Sequence, residues 1–194
     1  MDLTTASSPA LRLDLPLSRA RALSLRAGQT VRLYGVMYTA RDAAHARMTE
    51  ALAAGEGLPF DPEGATIYYC GPTPGRPPRL IGSAGPTTSS RMDKYAPALY
   101  RAGVRATLGK GERALSVREA CRETGSVYLV TVGGAGALLG SRIVAAEVVA
   151  YPELGPEAVR RIVVEDFPAW VAYDAGGLSI FPGDQPLGPV GRAD

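Results

Sequence analysis

The chain has 194 residues, with 21 basic and 19 acidic side chains and a formal net charge of +2. That length supports one domain with a core of its own and no need of covalent staples. The near balance of charge, with no basic run and no interleaving of aromatic and basic residues, argues against a nucleic-acid surface, and the apolar stretches are too short and interrupted to span a bilayer.

In chain order, residues 1–10 read as a flexible N-terminal tail. It is polar and small, without the apolar centre of a signal peptide, so the expected location is cytoplasmic. Leu11, Leu13, Leu15 and Leu17 alternate with Arg12, Asp14 and Pro16. This is the pattern of a half-buried strand, and Pro16 assigns it to a sheet edge. The turn Ala27-Gly28-Gln29 leads to a second strand over 30–37. Thr39 is positioned to cap a helix over 40–54 that stops at Gly55 and Gly57. A short apolar strand over 65–70 follows. The loop at 71–82, with Pro72, Pro74, Pro77 and Pro78, leads into a second loop that opens a helix over 92–102. A strand over 104–108 turns at Gly109-Lys110-Gly111. Ser116 and Glu119 have the spacing of a capping box for a helix reaching Glu123. A strand over 127–132 enters a short helix through Gly133-Gly134-Ala135-Gly136, which does not meet the GxGxxG of a dinucleotide loop. Strands over 142–150 and 160–165 and a hairpin over 170–181 complete a single domain at 11–181. A Pro- and Gly-rich C-terminal tail covers 182–194. Alternating strand and helix in the middle argues for parallel strands with crossovers, and the strand-rich ends argue for an antiparallel layer. The expectation is an α/β domain with one mainly parallel and one mainly antiparallel sheet.

The stretch of greatest chemical content is Gly-Ser-Ala-Gly-Pro-Thr-Thr-Ser-Ser-Arg-Met-Asp-Lys-Tyr at 82–95. A loop of this kind opening a helix aims backbone N–H groups, hydroxyls and the helix dipole at one anion. Two other loops follow strands and carry cations: 38–45, with Arg41 and His45, and 109–111, with Lys110. In open α/β sheets ligands collect at the carboxyl ends of the strands. Arg41, Arg91 and Lys110 would then converge, a set suited to a small dicarboxylate, because arginine grips a carboxylate with two parallel hydrogen bonds. Each residue also has a plainer reading. Arg41 and Asp42 would make a surface ion pair, and Arg91, Asp93 and Lys94 would decorate a solvated helix face. Thr87 and Thr88 would cap a helix, and His45, the only histidine, would bond to a neighbour.

Five motifs occur in a fixed order: Tyr-Thr-Ala-Arg-Asp-Ala-Ala-His at 38–45, Tyr-Cys-Gly-Pro at 69–72, the Gly-Pro-Thr-Thr and Arg-Met-Asp stretch at 82–93, Gly-Lys-Gly at 109–111 and Tyr-Leu-Val-Thr-Val-Gly-Gly-Ala at 128–135. Over 11–173 the chain resembles the beta subunit, or C-terminal domain, of class I iron–sulfur fumarate hydratases and tartrate dehydratases. The resemblance implies a swivelling β/β/α domain of three layers. It implies a [4Fe-4S] cluster held by three cysteines of an alpha subunit, with one open iron site acting as a Lewis acid on a departing hydroxyl. Cys70 and Cys121 form no CxxC and are too few for such a cluster, so no metal site is expected here and this chain would supply one wall of the active site.

The implied reaction is reversible dehydration of a 2-hydroxy dicarboxylate, (S)-malate to fumarate in the main case, a step of the tricarboxylic acid cycle. Matched residue by residue, Arg41, Arg91 and Lys110 would hold the carboxylates and stabilise the carbanion-like charge that builds as a proton leaves. Thr87 matches the threonine proposed as base. Gly85 and Thr88 would shape the substrate-binding loop, and Asp42 and His45 would support Arg41. Ser89 and Ser90 carry no assignment. The implied partner is the alpha subunit, in a dimer of heterodimers. Two alternatives stay open: a tartrate dehydratase beta subunit, and a non-catalytic anion-binding or regulatory module gripping phosphate. A phosphate loop would carry its lysine inside the glycine-rich stretch, and here Lys94 follows the arginine.

Overall fold

Apolar alternation organises the sheet. A computed structural model describes residues 9–187, and its seven strands are hydrogen-bonded into one mixed sheet. Strands β1 (Leu11–Leu15), β2 (Thr30–Thr39), β3 (Thr66–Tyr68), β4 (Ala106–Gly109) and β5 (Val127–Val130) run parallel in that order. Strand β7 (Val159–Tyr173) is antiparallel to β2, to β5 and to β6 (Ile143–Ala150). With 15 residues, β7 is long enough to pair with β2 and also with β6 and β5. This closes β2, β3, β4, β5 and β7 into a barrel. β1 pairs with β2 alone and so lies at an edge, as Pro16 suggested.

Both kinds of pairing are therefore present, but within a single closed sheet rather than two, and β1 lies parallel to β2. The reason is β7. The sequence reads as separate strands over 160–165 and 170–173, yet the strand is continuous through a bulge. Its inward residues Ile162 and Val164 are even-numbered, whereas Phe167, Ala169 and Val171 are odd-numbered. The parity changes at Glu165 and Asp166, which together pass opposite Tyr34, with Asp166 at φ 53°. An extra residue of this kind bends a strand and lets it continue.

The two faces of the sheet carry two apolar clusters. Leu13, Leu33, Tyr68, Leu108, Leu129, Val164 and Phe167 belong to one, inside the barrel. Ile67, Tyr69, Met92, Leu99, Val117 and Tyr128 belong to the other, beneath helices α2 (Asp42–Ala53), α3 (Ala96–Arg101) and α4 (Leu115–Thr124). Burying each such large side chain contributes roughly 2 kcal/mol. Helices α1 (Arg19–Ser24) and α5 (Gly136–Ser141) send Ala22 and Leu139 into the inner cluster. Nothing in the sequence reading anticipated α1, although Ser18 caps it by accepting the Arg21 N–H at 3.2 Å.

Three local expectations change. The helix over 92–102 is instead a 3₁₀ turn, Ser89–Met92, followed by α3 with Pro97 in its first turn. Proline has no N–H to extend an earlier helix, so a new one starts there. The capping box at Ser116 is not formed; Ala114 precedes α4, and its N–H is taken by the Asp93 carboxylate at 2.7 Å. The hairpin over 170–181 reduces to one bridge, Tyr173 to Ser179, with Asp174 accepting the N–H groups of Gly176 and Leu178. Of the expected tails, residues 1–8 and 188–194 lie outside the described residues. Within 182–187, Asp184 and the Gln185 carbonyl are tied to Arg118 of α4. Among the described residues no helix is long and apolar enough to cross a membrane.

Candidate active site

The carboxyl ends of β2, β3, β4 and β5 lie side by side because these strands are parallel and in register, with Thr39 beside Tyr68, Tyr68 beside Leu108, and Gly109 beside Val130. The loops leaving those ends carry Arg41, Gly71, Lys110 and Gly133. The Thr87 loop joins them through its backbone, the Thr87 N–H donating to the Tyr69 carbonyl at 2.7 Å.

Arg41 is the residue immediately before α2. The expected cap at Thr39 is absent, and its buried hydroxyl has no hydrogen-bond partner. Glu157, at the end of a 3₁₀ turn Pro152–Glu157, takes over the role. It accepts the Ala43 N–H at 2.9 Å and lies 3.5 Å from the Arg41 guanidinium. That guanidinium lies across Gly71, where a Cβ would come within 2.8 Å of Nη1. The glycine of the Tyr-Cys-Gly-Pro motif thus leaves room for the cation. Arg41 Nε is buried and unpartnered.

His45 touches Arg41 through the backbone. Its Nδ1 donates to the Arg41 carbonyl at 2.8 Å, and so does its own backbone N–H at 2.8 Å. That bond fixes the tautomer, leaving Nε2 as a lone pair with no partner. Complete burial is the main reason the imidazole pKa falls to about 4. His45 is therefore neutral near pH 7, wedged against the rings of Tyr69 and Tyr95. Asp42 points elsewhere. Its carboxylate meets Arg91, with Nε to Oδ1 at 3.0 Å and Nη2 to Oδ2 at 2.7 Å, so it supports Arg91 rather than Arg41. Through Asp42 the first cationic loop is joined to the third motif.

Lys110 is joined to the same motif by a parallel bridge to Thr88. Ser89, unassigned from the sequence, makes that junction. Its N–H donates to the Lys110 carbonyl at 2.9 Å, and its Oγ accepts the Lys110 N–H at 3.0 Å. The Tyr128 hydroxyl lies 2.9 Å from the Ser89 hydroxyl and 2.7 Å from the Gly111 carbonyl. Gly109 leaves room for this junction, since a Cβ there would collide with Ser89 Oγ. The Lys110 side chain is exposed, lies against Gly133, and has no carboxylate partner among the described residues. Gly85 is exposed against Gly136, Thr88 is exposed, and the hydroxyl of the half-buried Thr87 makes no hydrogen bond among the described residues. Because Ser89–Met92 is a single 3₁₀ turn, the loop does not open a long helix, and little macrodipole is available to an anion.

The implied cluster does not fit this chain. Cys70 belongs to the inner apolar cluster and Cys121 to the outer one, on opposite faces of the sheet. Both thiols are buried, and burial pushes each up to about 12. Among the described residues no group of three or more His, Cys, Asp or Glu is placed to hold a metal ion. Glu157, Ser89, Asp93, Arg113 and Tyr128 were not singled out as site residues from the sequence. Each acts through a contact distant in the chain, and no local motif announces it.

The site is thus a closed α/β sheet with cation-bearing loops at the carboxyl ends of its parallel strands. The sequence matches the family described as Fumarase C-terminus over residues 3–183, and the chain belongs to that family. It is 42% identical over 151 residues to the aerobic class I fumarate hydratase of Escherichia coli K12, covering 77% of this chain and 28% of that protein. It is 38% identical over 180 residues to fumarate hydratase 2 of Leishmania major, covering 92% of this chain and 32% of that protein. A protein of Methanocaldococcus jannaschii, provisionally named L(+)-tartrate dehydratase subunit beta, is 36% identical over 171 residues, with 85% of this chain and 88% of that protein covered. The chain thus spans about a third or less of the length of the two fumarate hydratases.

Proposed function

We propose that this chain is the beta subunit of a two-subunit hydro-lyase that interconverts (S)-malate and fumarate. Arg41, Arg91 and Lys110 grip the two carboxylates. The observation that carries the reading is the linkage at the carboxyl ends of the parallel strands, where Asp42 ties the Arg41 loop to Arg91 and Ser89 ties the Thr87 loop to Lys110. Removing a proton from the carbon beside a carboxylate pushes negative charge onto that carboxylate. A guanidinium or ammonium already bonded to it then binds more tightly in the transition state than in the ground state, which accelerates the step. Thr87 stands at the position of the base. Its hydroxyl is a weak base alone, and no described carboxylate or imidazole bonds it, so a carboxylate of the partner completes it.

The [4Fe-4S] cluster belongs to an alpha subunit, in a dimer of heterodimers, and the β domain swivels over it. The assignment of the cluster to a second chain is supported by the misfit of the two buried thiols to a cluster and by the coverage of the provisionally named tartrate dehydratase subunit over most of its length. The same relative supports a second reading, with tartrate as the substrate. The purified chain is expected to be inactive alone and to gain activity when an iron-loaded alpha subunit is added without air. Turnover of malate against tartrate by that mixture decides the substrate. Turnover by this chain alone overturns the reading, and tight phosphate binding with no association to a cysteine-bearing subunit replaces it with an anion-binding module.

A further inference from the structure

We infer that the ion pair between Asp93 and Arg113 is a positioning brace that holds Arg91 and Lys110 in register; this rests on the dicarboxylate reading above. Asp93 lies two residues beyond Arg91, and Arg113 three residues beyond Lys110. Their bond therefore joins the two cation-bearing segments directly behind the cations. The Arg113 side chain is completely buried and Asp93 is 16% exposed, with Nε to Oδ1 at 2.5 Å. Burial works against the Arg113 charge, but Tyr69, Tyr100 and Asp93 outweigh it, and its pKa rises. The remaining guanidinium nitrogens reach the Tyr69 hydroxyl at 3.4 Å and the Thr107 hydroxyl at 3.5 Å. Arg113 also lies over the rings of Tyr69 and Tyr128, at 5.2 and 4.9 Å from their centroids. Tyr69 carries the carbonyl that holds Thr87, and Tyr128 carries the hydroxyl that holds Ser89. The second Asp93 oxygen takes the Ala114 N–H at the start of α4.

One buried guanidinium thus touches the residues that position the Thr87 loop and the turn that follows it. A buried ion pair is a poor stabiliser compared with apolar side chains of the same volume, because both charges must be desolvated. Its directional bonds do something apolar packing does not: they fix the distance between two loops.

The test uses the two-chain enzyme assembled with its cluster-bearing partner. Asp93→Asn keeps an oxygen for the Ala114 N–H and removes the charge. Arg113→Lys keeps the charge and removes the fork, and it serves if Asp93→Asn does not fold. For each folded variant, well below its melting temperature, KM for malate is expected to rise on the order of 10-fold or more, with kcat falling less. In a Lys110→Ala background, adding Asp93→Asn should lower kcat/KM by less than it does alone, because one of the two cations the brace holds is already removed. A lower melting temperature with unchanged KM and kcat would reduce the pair to a structural contact and overturn the brace. So would a full, multiplicative effect on top of Lys110→Ala. Should Arg91→Ala and Lys110→Ala themselves leave turnover intact, the dicarboxylate reading falls and takes the brace with it.

Discussion

Arg91 with Asp42 and Arg113 with Asp93 are the same chemical pair in two settings. The side chains of Arg91 and Asp42 are 48% and 32% exposed, whereas those of Arg113 and Asp93 are 0% and 16% exposed. An exposed pair is screened by water and worth about 0–1 kcal/mol, so a substrate carboxylate can compete for its guanidinium. A buried pair does not open, because removing one partner leaves an unpaired charge in the interior. On the proposed reading the contrast separates a cation that works from a cation that braces, and exposure decides it rather than distance.

The largest test of that contrast is Arg113→Met. It should destabilise the chain by about 3–5 kcal/mol in urea unfolding, and adding Asp93→Leu should restore most of the loss. A single-variant loss below about 1 kcal/mol would erase the difference between the two pairs. His45 probes the same interior beside both pairs. Its folded pKa of about 4 lies below the unfolded 6.5, so the unfolded chain binds the extra proton between those values. Its contribution is complete above about pH 6.5 and lost as pH falls toward 4, by roughly 3 kcal/mol in all. His45→Gln should remove that part of the pH dependence in denaturant titrations, and an unchanged slope would contradict the burial argument. For the exposed pair, Arg91→Ala in the assembled enzyme should lower kcat/KM on the order of 100-fold, about 2.7 kcal/mol of transition-state binding, while the melting temperature stays within a few degrees. Near-normal turnover would exclude Arg91 as a clamp. Smallest is Asp42→Asn, which loosens the tie between the Arg41 loop and Arg91. Binding of a non-reacting dicarboxylate should weaken by no more than about 5-fold, as for loss of an exposed pair, and tighter binding would make Asp42 a competitor for Arg91 instead of its support.

Much of the fold was legible because alternation is local. Leu11 to Leu15 form a strand where the period of two indicates, the strand read over 30–37 runs on to Thr39, and the apolar run read over 127–132 forms a strand at 127–130. The closed barrel was not legible, since it depends on one bulge at Asp166 that reverses the parity of β7 and on pairings between residues more than 100 positions apart. The placing of the Arg41, Arg91 and Lys110 loops at one end of the sheet was legible, because parallel strands carry their loops to one end. Its supports were not. Thr39 had the chemistry of a cap and Glu157 supplies it from across the chain; Ser116 and Glu119 had the spacing of a capping box and Asp93 supersedes them. Asp93 itself, beside Arg91 and Lys94, reads as one more charge on a solvated face, and only the tertiary fold buries it against Arg113.

The most direct measurement is equilibrium binding of succinate, a four-carbon dicarboxylate with no hydroxyl to lose, to the assembled enzyme. Binding without reaction isolates the grip from the chemistry. The account predicts that Arg41→Ala, Arg91→Ala and Lys110→Ala each weaken succinate by at least about 10-fold, as expected for removing one partner of a charged contact. They should also bring it close to butyrate, which has one carboxylate. If all three variants bind succinate as tightly as the unaltered chain, these residues are surface charges and the carboxylate site lies elsewhere.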